Sequence, residues 1–133
     1  MEVNHQIIKL NDVYKEFNHT LKTLLRELMK RFDYIKEFKI MFTLYKVMKT
    51  FSKKSPQQYF NTLLAEKYSS EIMKKNYDFF LSDAFDDAET SYIIKPIKVE
   101  FAKISDEDRE MIWRHMVLLL ACNKNCLLEK KNR

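Results

Sequence analysis

Four acidic side chains that lie close together are the first candidates for chemistry in this sequence. They are Asp83, Asp86, Asp87 and Glu89. Carboxylate oxygens bind Ca²⁺, so the most specific interpretation is an EF-hand calcium loop. That loop needs a glycine at its sixth position and an acidic residue in register at its twelfth, and this segment has neither. We therefore expect residues 82–91 to form a solvated acidic loop that holds no metal.

Cysteine and histidine are too sparse to suggest a metal centre or a nucleophilic site. Cys122 and Cys126 stand near the end of the chain, and His5, His19 and His115 are scattered. A structural zinc site takes four such ligands, and a catalytic nucleophile needs a base and an orienting acid beside it. His115 lies in an apolar run and is expected to be a core histidine, while both thiols are expected to stay free. The sequence therefore predicts no catalytic residue, no metal and no cofactor.

The amino-acid composition excludes several functional classes. The 133 residues include no glycine and only two prolines. A phosphate-binding P-loop, a dinucleotide fingerprint and a nucleophile elbow all require glycine, so none of them can be present. The length suits one domain with one hydrophobic core.

Basic and acidic residues are concentrated in different segments of the chain, whose net charge is +5. Residues 1–75 carry 15 Lys/Arg and 8 Asp/Glu, whereas residues 76–110 carry 4 Lys/Arg and 10 Asp/Glu. Residues 111–133 are basic again, with 5 Lys/Arg and 1 Asp/Glu. Oppositely charged segments can neutralise each other within one chain or between copies, so a uniform polyanion binder is not expected.

Apolar periodicity predicts a first helix over residues 7–30. Its apolar stripe consists of Ile7, Leu10, Val13, Tyr14, Phe17, Leu21, Leu24, Leu25 and Leu28. The opposite side carries a candidate basic surface made of Lys15, His19, Lys22, Arg26 and Lys30. This surface is expected to be solvated or to meet an acidic partner.

A second helix is predicted over residues 33–51, and its apolar arc is unusually wide. Tyr34, Phe38, Met41, Tyr45 and Met48 form one seam, and further apolar residues widen the arc on the other flank. These are Ile40, Leu44, Val47 and Phe51. Such an arc predicts a central helix with neighbours on two sides.

Capping signals predict the next two helices. Ser55 is a candidate N-cap with Pro56 at the first helical position, and this helix is expected to end near Lys67. A shorter helix is expected to begin at Ser69 or Ser70.

The C-terminal third contains one ambiguous segment and one strong helix. Residues 92–104 permit a strand or a helix beginning at Pro96, and we favour the helix because a single strand would have no sheet to join. Ser105 is expected to cap a closing helix that is apolar on nearly every side. Trp113 is expected to anchor the core where this helix meets the first two.

Together these patterns predict an all-α fold, a compact single-domain bundle of five or six helices over residues 1–133. A frayed basic tail is expected from about residue 124. No signal peptide is visible, and the longest apolar run, Met116–Cys122, is too short to span a bilayer.

Three segments resemble small helical proteins of nucleocytoplasmic large DNA viruses, the giant viruses of protists. The segments are Ser55–Phe60, Ile72–Leu81 and Ser105–Leu120. The resemblance implies a non-enzymatic viral structural or assembly protein, a minor virion component that acts through contacts with itself or with other virion proteins. It also implies a location in the virion or in the cytoplasm of the infected host cell, without secretion.

Two alternatives stay open. The candidate basic surface suits a basic DNA- or RNA-binding accessory protein, because lysine and arginine can neutralise backbone phosphates. A domain that binds a host factor is the other possibility. Neither alternative involves a small-molecule substrate or a membrane span.

Overall fold

The computed structural model describes the backbone of residues 2–82 and 91–131, and the side chains of residues 12–82 and 95–131. These residues form helices and turns with no strand, which confirms the predicted all-α class. The helices are α1 (Glu2–Arg31), α2 (Glu37–Phe51), α3 (Ser55–Phe60), α4 (Glu66–Met73), α5 (Tyr77–Leu81), α6 (Ser91–Phe101) and α7 (Asp106–Lys131). A π-helical segment, Asn61–Ala65, continues α3 into α4, so the described residues form six helical elements.

The two longest helices, α1 and α7, pack against each other along most of their length and form the centre of the fold. They run antiparallel, because Arg31 at the end of α1 bonds to Asp108 at the start of α7 over 2.8 Å. Closer to the other end, the Thr20 hydroxyl lies 3.8 Å from the Cys122 sulfur. The helices bury an apolar core between them that includes Phe17, Leu24, Leu28, Met111, Ile112, Leu119 and Cys126. Burial of this apolar surface is the main force that stabilises the bundle.

Helix α2 folds back along α1 through a tight turn at residues 32–36. Phe38 and Tyr45 form its buried side. The Tyr45 hydroxyl donates a hydrogen bond of 3.2 Å to the carbonyl oxygen of Asn18, and the Asn18 amide donates one of 2.9 Å to the carbonyl oxygen of Lys53. These bonds attach the middle of α2 and the turn that follows it to Asn18 of α1.

The capping predictions for the middle helices are wrong. Ser55 is the first residue of α3 rather than its cap, and the preceding loop is held instead by the Ser52 hydroxyl, which accepts from the Lys54 backbone N–H. The predicted break near Lys67 is found, because the backbone of Tyr68 is non-helical (φ −130°, ψ 15°) and kinks α4 there. Ser69 and Ser70 follow the kink, but the Ser69 hydroxyl donates to the carbonyl oxygen of Ala65 and does not cap a helix. Their hydroxyls can bond within a helix, so serine alone does not mark a helix start.

The cap predicted for a serine is found at Asn76, at the start of α5. The Asn76 side-chain oxygen accepts from the Phe79 backbone N–H over 3.2 Å, and its amide donates to Glu71 over 2.7 Å. Just before it, Lys75 has a φ of 55°. This left-handed position after a helix is one that glycine usually fills, and the chain has no glycine to place there.

The last two helices, α6 and α7, are present as predicted, but some of their ends differ from the prediction. Residues 92–101 are helical as favoured, but α6 begins at Ser91, so Pro96 lies inside the helix and not at its start. Ser105 caps α7 as predicted, since its hydroxyl accepts from the Asp108 backbone N–H over 3.1 Å. The prediction of a frayed tail from about residue 124 is wrong, because α7 continues to Lys131 and buries Cys126 completely.

Candidate interaction surfaces

Helix α2 exposes a continuous apolar face, which we call the α2 stripe. It consists of Ile40, Leu44, Val47 and Phe51. The spacing of four, three and four residues places all four side chains on one side of a helix with 3.6 residues per turn. Their exposure ranges from 40% for Ile40 to 85% for Phe51. Helix α2 contacts α1, α3 and α6, as expected of a helix with more than one neighbour, but the side chains of the α2 stripe stay at least 40% exposed.

The two flanks of the α2 stripe differ in charge. Lys36, Lys39 and Lys46 follow one flank, and all three are exposed. Thr43 and Thr50 stand between them and donate their hydroxyl protons to carbonyl oxygens of the preceding turn. The threonines therefore add methyl groups, rather than free donors, to the edge of the stripe.

The other flank carries little charge. Its residues nearest the stripe are Glu37 and the partly buried Met48. Within the described part of the chain, none of the three lysines of the opposite flank forms a salt bridge; Lys46 instead lies 4.9 Å from the centre of the Phe42 ring. The α2 stripe thus has one positive edge that no acidic side chain of the described residues neutralises.

The candidate basic surface lies on α1, as its spacing required. Lys15, His19, Arg26 and Lys30 are exposed, and Lys22 is half-buried. Burial raises the pKa of Tyr45 on α2, and the positive charge of Arg26 opposes part of this rise. None of the five forms a salt bridge with another described residue.

One acid of α1 is paired at the C-terminal end of the helix. Glu27 pairs with Arg31 over 3.2 Å, and Arg31 also bonds to Asp108 of α7. Asp12 and Glu16 stay exposed beside the candidate basic surface, so the charge of this side of α1 is mixed. The candidate acidic loop, Asp83, Asp86, Asp87 and Glu89, lies outside the described residues.

A chain of side-chain amides that the sequence analysis missed crosses the bundle. The Gln57 amide donates to the Asn123 side-chain oxygen over 2.7 Å, and the Asn123 amide donates to Asn61 over 3.0 Å. Asn61 in turn donates to Glu66 over 3.0 Å. Gln57 and Asn123 are buried, so these bonds satisfy polar groups that would otherwise be costly to remove from water.

The amide chain coincides with the π-helical segment. Glu66 donates its backbone N–H to the carbonyl oxygen of Asn61, five residues earlier, which is the π-helical pattern. The extra residue in this turn lies where Asn61 meets Asn123 of α7. The sequence gives no clear signal for this contact, because Asn123 and Asn125 both lie on α7 and only the structure shows that Asn123 is the buried one.

Trp113 lies in an aromatic cluster on the other side of α7. It is 7% exposed, and its ring centre lies 5.2 Å from that of Tyr77 and 5.3 Å from that of Phe80. Its indole N–H donates to the carbonyl oxygen of Ile72 over 3.2 Å. These partners belong to α4 and α5, not to the first two helices where the sequence analysis placed the anchor.

The two thiols have different surroundings. Both are free, Cys122 is half-buried, and Cys126 is completely buried between α1 and α7. Burial raises the pKa of the Cys126 thiol to about 12, with a further contribution from Cys122. The Cys126 thiol is therefore both neutral and shielded.

We expect iodoacetamide to modify Cys122 in the folded protein and to leave Cys126 unmodified until the chain is unfolded, because only an accessible thiolate reacts. Mass spectrometry of peptides labelled before and after addition of urea checks this. Equal labelling rates for the two thiols in the folded protein would contradict the buried position of Cys126.

The raised pKa of the Cys126 thiol also means that the free energy of unfolding falls as the pH rises from 9.0 towards about 12, since the unfolded thiol ionises first.

The chemistry-bearing residues do not assemble into a catalytic or metal site within the described residues. His115 is half-buried, and its Nδ1 lies 2.8 Å from the carbonyl oxygen of Met111, one turn earlier on α7. No three His, Cys, Asp or Glu side chains come together in the described part of the chain as a metal site would need. None of the described helices combines the length and the apolarity needed to cross a membrane.

Comparison of the chain with protein-family models, with curated proteins and with solved structures found no match.

Proposed function

We propose that this protein is a non-enzymatic assembly protein that acts through protein–protein contacts made by the α2 stripe. The carrying observation is that four large apolar side chains are exposed together on one face of a well-formed helix, while the opposite face of that helix is buried. Contiguous exposed apolar patches mark interaction sites, and anchors at this spacing are typical of helix recognition.

The resemblance of three segments to giant-virus proteins suggests the setting of this role. In that setting the protein is a minor virion component that binds other virion proteins, and it occurs in the particle or in the cytoplasm of the infected cell. A host factor that binds the same stripe would place the protein in the host-interaction class instead.

Replacing Val47 and Phe51 together with serine is expected to abolish association while leaving the monomer folded. Both side chains are largely exposed, so the free energy of unfolding should change by no more than about 0.5 kcal/mol per site. Tagged protein is purified from infected cells under native conditions, and the co-purifying proteins are quantified by mass spectrometry. Circular dichroism melting reports the stability of the variant.

The matched control replaces Leu118 and Leu128 with serine. These are exposed leucines on α7, with exposures of 53% and 46%, so the control removes comparable apolar surface elsewhere. We expect the control to keep the partners of the unaltered protein. The proposed function is wrong if the α2 variant and the α7 control retain the same set of partners.

Nucleic-acid binding is the second candidate, and the candidate basic surface favours it, because none of its side chains forms a salt bridge with another described residue. Replacing Lys15, Lys22, Arg26 and Lys30 with glutamate is expected to abolish binding to a DNA duplex in a fluorescence anisotropy titration. If all four side chains neutralise phosphates, a log–log plot of the binding constant against salt concentration should have a slope of about −3.6.

A control with the same change in charge replaces Lys67, Lys74, Lys103 and Lys124, which are exposed on other parts of the molecule. Loss of binding in both fourfold variants would indicate a general charge effect rather than a site on α1. Absence of binding by the unaltered protein at low salt would exclude this candidate.

A further inference from the structure

We propose that the occupant of the α2 stripe is an acidic amphipathic helix of a partner protein. This inference rests on the proposed function and adds the chemistry of the partner. It follows from the length of the stripe, from the charge of its edges and from what a second copy of the chain would bring to the same place.

The length of the stripe fits a helix of about three turns. From Ile40 to Phe51 the stripe advances eleven residues, or about 16 Å at 1.5 Å per residue. A partner helix that lies along it can place its own apolar residues between these four side chains, in the manner of ridges packed into grooves. The stripe is straight and narrow, so a single helix covers it.

The charge of the edges selects the partner. Lys36, Lys39 and Lys46 line one edge, and none of them is paired within the described residues. A helix with Asp or Glu beside its apolar stripe would place carboxylates against these ammonium groups. Such edge charges contribute to partner choice and to the association rate more than to total affinity.

A second copy of this chain fits the stripe poorly. In an antiparallel two-fold pair of α2 helices, the lysine edge of one copy would face the lysine edge of the other. In a parallel pair it would face the edge that offers only Glu37 near the stripe.

The test uses three synthetic helical peptides of about four turns, each labelled with a fluorophore. The acidic peptide has leucine at the four stripe positions and glutamate at the flanking positions. The basic peptide has lysine at those flanking positions, and the third peptide keeps the glutamates but has serine in place of the leucines. Fluorescence anisotropy measures the binding of each peptide to the full chain.

We expect the acidic peptide to bind at least about tenfold more tightly than the basic one at moderate salt, because like charges across an interface are penalised. Raising the salt concentration should narrow the difference, since these charges are exposed. The peptide with serine should not bind, because the apolar contact supplies most of the affinity.

Variants of the chain locate the effect. Reversing the edge with Lys39→Glu and Lys46→Glu should reverse the preference, so that the basic peptide binds more tightly. The matched control, Lys67→Glu with Lys124→Glu, makes the same change in net charge at exposed sites away from α2 and should keep the preference for the acidic peptide. Circular dichroism confirms that each variant is folded.

Several results would overturn the inference, and each is distinct from the results that would refute the proposed function. Equal affinity for the acidic and basic peptides, or no binding of either, removes the acidic partner. Binding that survives Val47→Ser with Phe51→Ser places the peptide elsewhere. A stable dimer of the chain alone that becomes monomeric in that variant makes a second copy the occupant. The proposed function itself is judged separately, by the proteins that co-purify from cells.

Discussion

Replacing Trp113 with alanine is expected to lower the free energy of unfolding by about 3–5 kcal/mol, the range typical of truncating a buried aromatic side chain. The indole fills the space between Tyr77 and Phe80 and also donates a hydrogen bond to the carbonyl oxygen of Ile72. Alanine would leave a cavity beneath α5 and would remove one hydrogen bond from the Ile72 carbonyl oxygen, which also accepts from the Lys75 backbone N–H over 3.0 Å. Urea unfolding followed by circular dichroism measures the loss.

Two further variants separate the parts of this effect. Trp113→Phe keeps an aromatic ring but removes the indole N–H. We expect a smaller fall in the free energy of unfolding: about 1–2 kcal/mol for the lost hydrogen bond, in addition to the cost of the change in packing. Leu118→Ala, at an exposed position of the same helix, should have little effect. Trp113 is the single tryptophan, so the tryptophan fluorescence of the protein reports on this residue alone. Because the ring is buried, the emission should be blue-shifted and resistant to quenchers in the monomer. A loss below about 1 kcal/mol in Trp113→Ala would mean that the ring is not part of the core.

Replacing Asn123 with alanine is expected to cost about 2–4 kcal/mol, which is the second largest effect. This side chain accepts from Gln57 and donates to Asn61, so its removal leaves a buried donor and a second polar group without partners. An unsatisfied buried polar group costs about 1–3 kcal/mol. Asn125→Ala, at an exposed position of α7, provides the control.

A double-mutant cycle with Gln57 tests whether these groups act together. Once Asn123 is absent, replacing Gln57 with leucine removes the stranded donor, so the double variant should be less destabilised than the sum of the two single variants. Apolar replacement of both partners can be nearly neutral. Strict additivity would mean that the two amides do not interact in solution.

Apolar periodicity alone was enough to locate the main helices. Local rules of spacing and capping predict the part of the α1 stripe from Val13 to Leu28, the buried Phe38 and Tyr45 of α2, and the Ser105 cap of α7. Ile7 and Leu10 of the predicted stripe lie outside the residues whose side chains are described. The same rules gave the all-α class. Local rules succeed here because the hydrogen bonds of a helix join residues that are close in sequence. Short segments of sequence are therefore enough to predict a helix.

Local rules of spacing and capping failed where more than one nearby residue could begin or end a helix. Serine caps were predicted near Ser69, while the structure uses Asn76, whose side chain bonds both forwards to Phe79 and backwards to Glu71. The end of α7 was placed too early for a similar reason. The basic residues near its end predict fraying, whereas the structure buries Cys126 completely and continues the helix to Lys131.

Which faces are covered was decided only by the tertiary structure. Periodicity shows that α2 is apolar on two sides, but it cannot show that the α2 stripe, from Ile40 to Phe51, remains 40–85% exposed. It likewise gives no sign that Gln57 and Asn123, 66 residues apart, meet in one hydrogen bond. Amphipathic spacing reports what a helix could bury, whereas the relative placement of helices, which depends on contacts between distant residues, determines what it does bury.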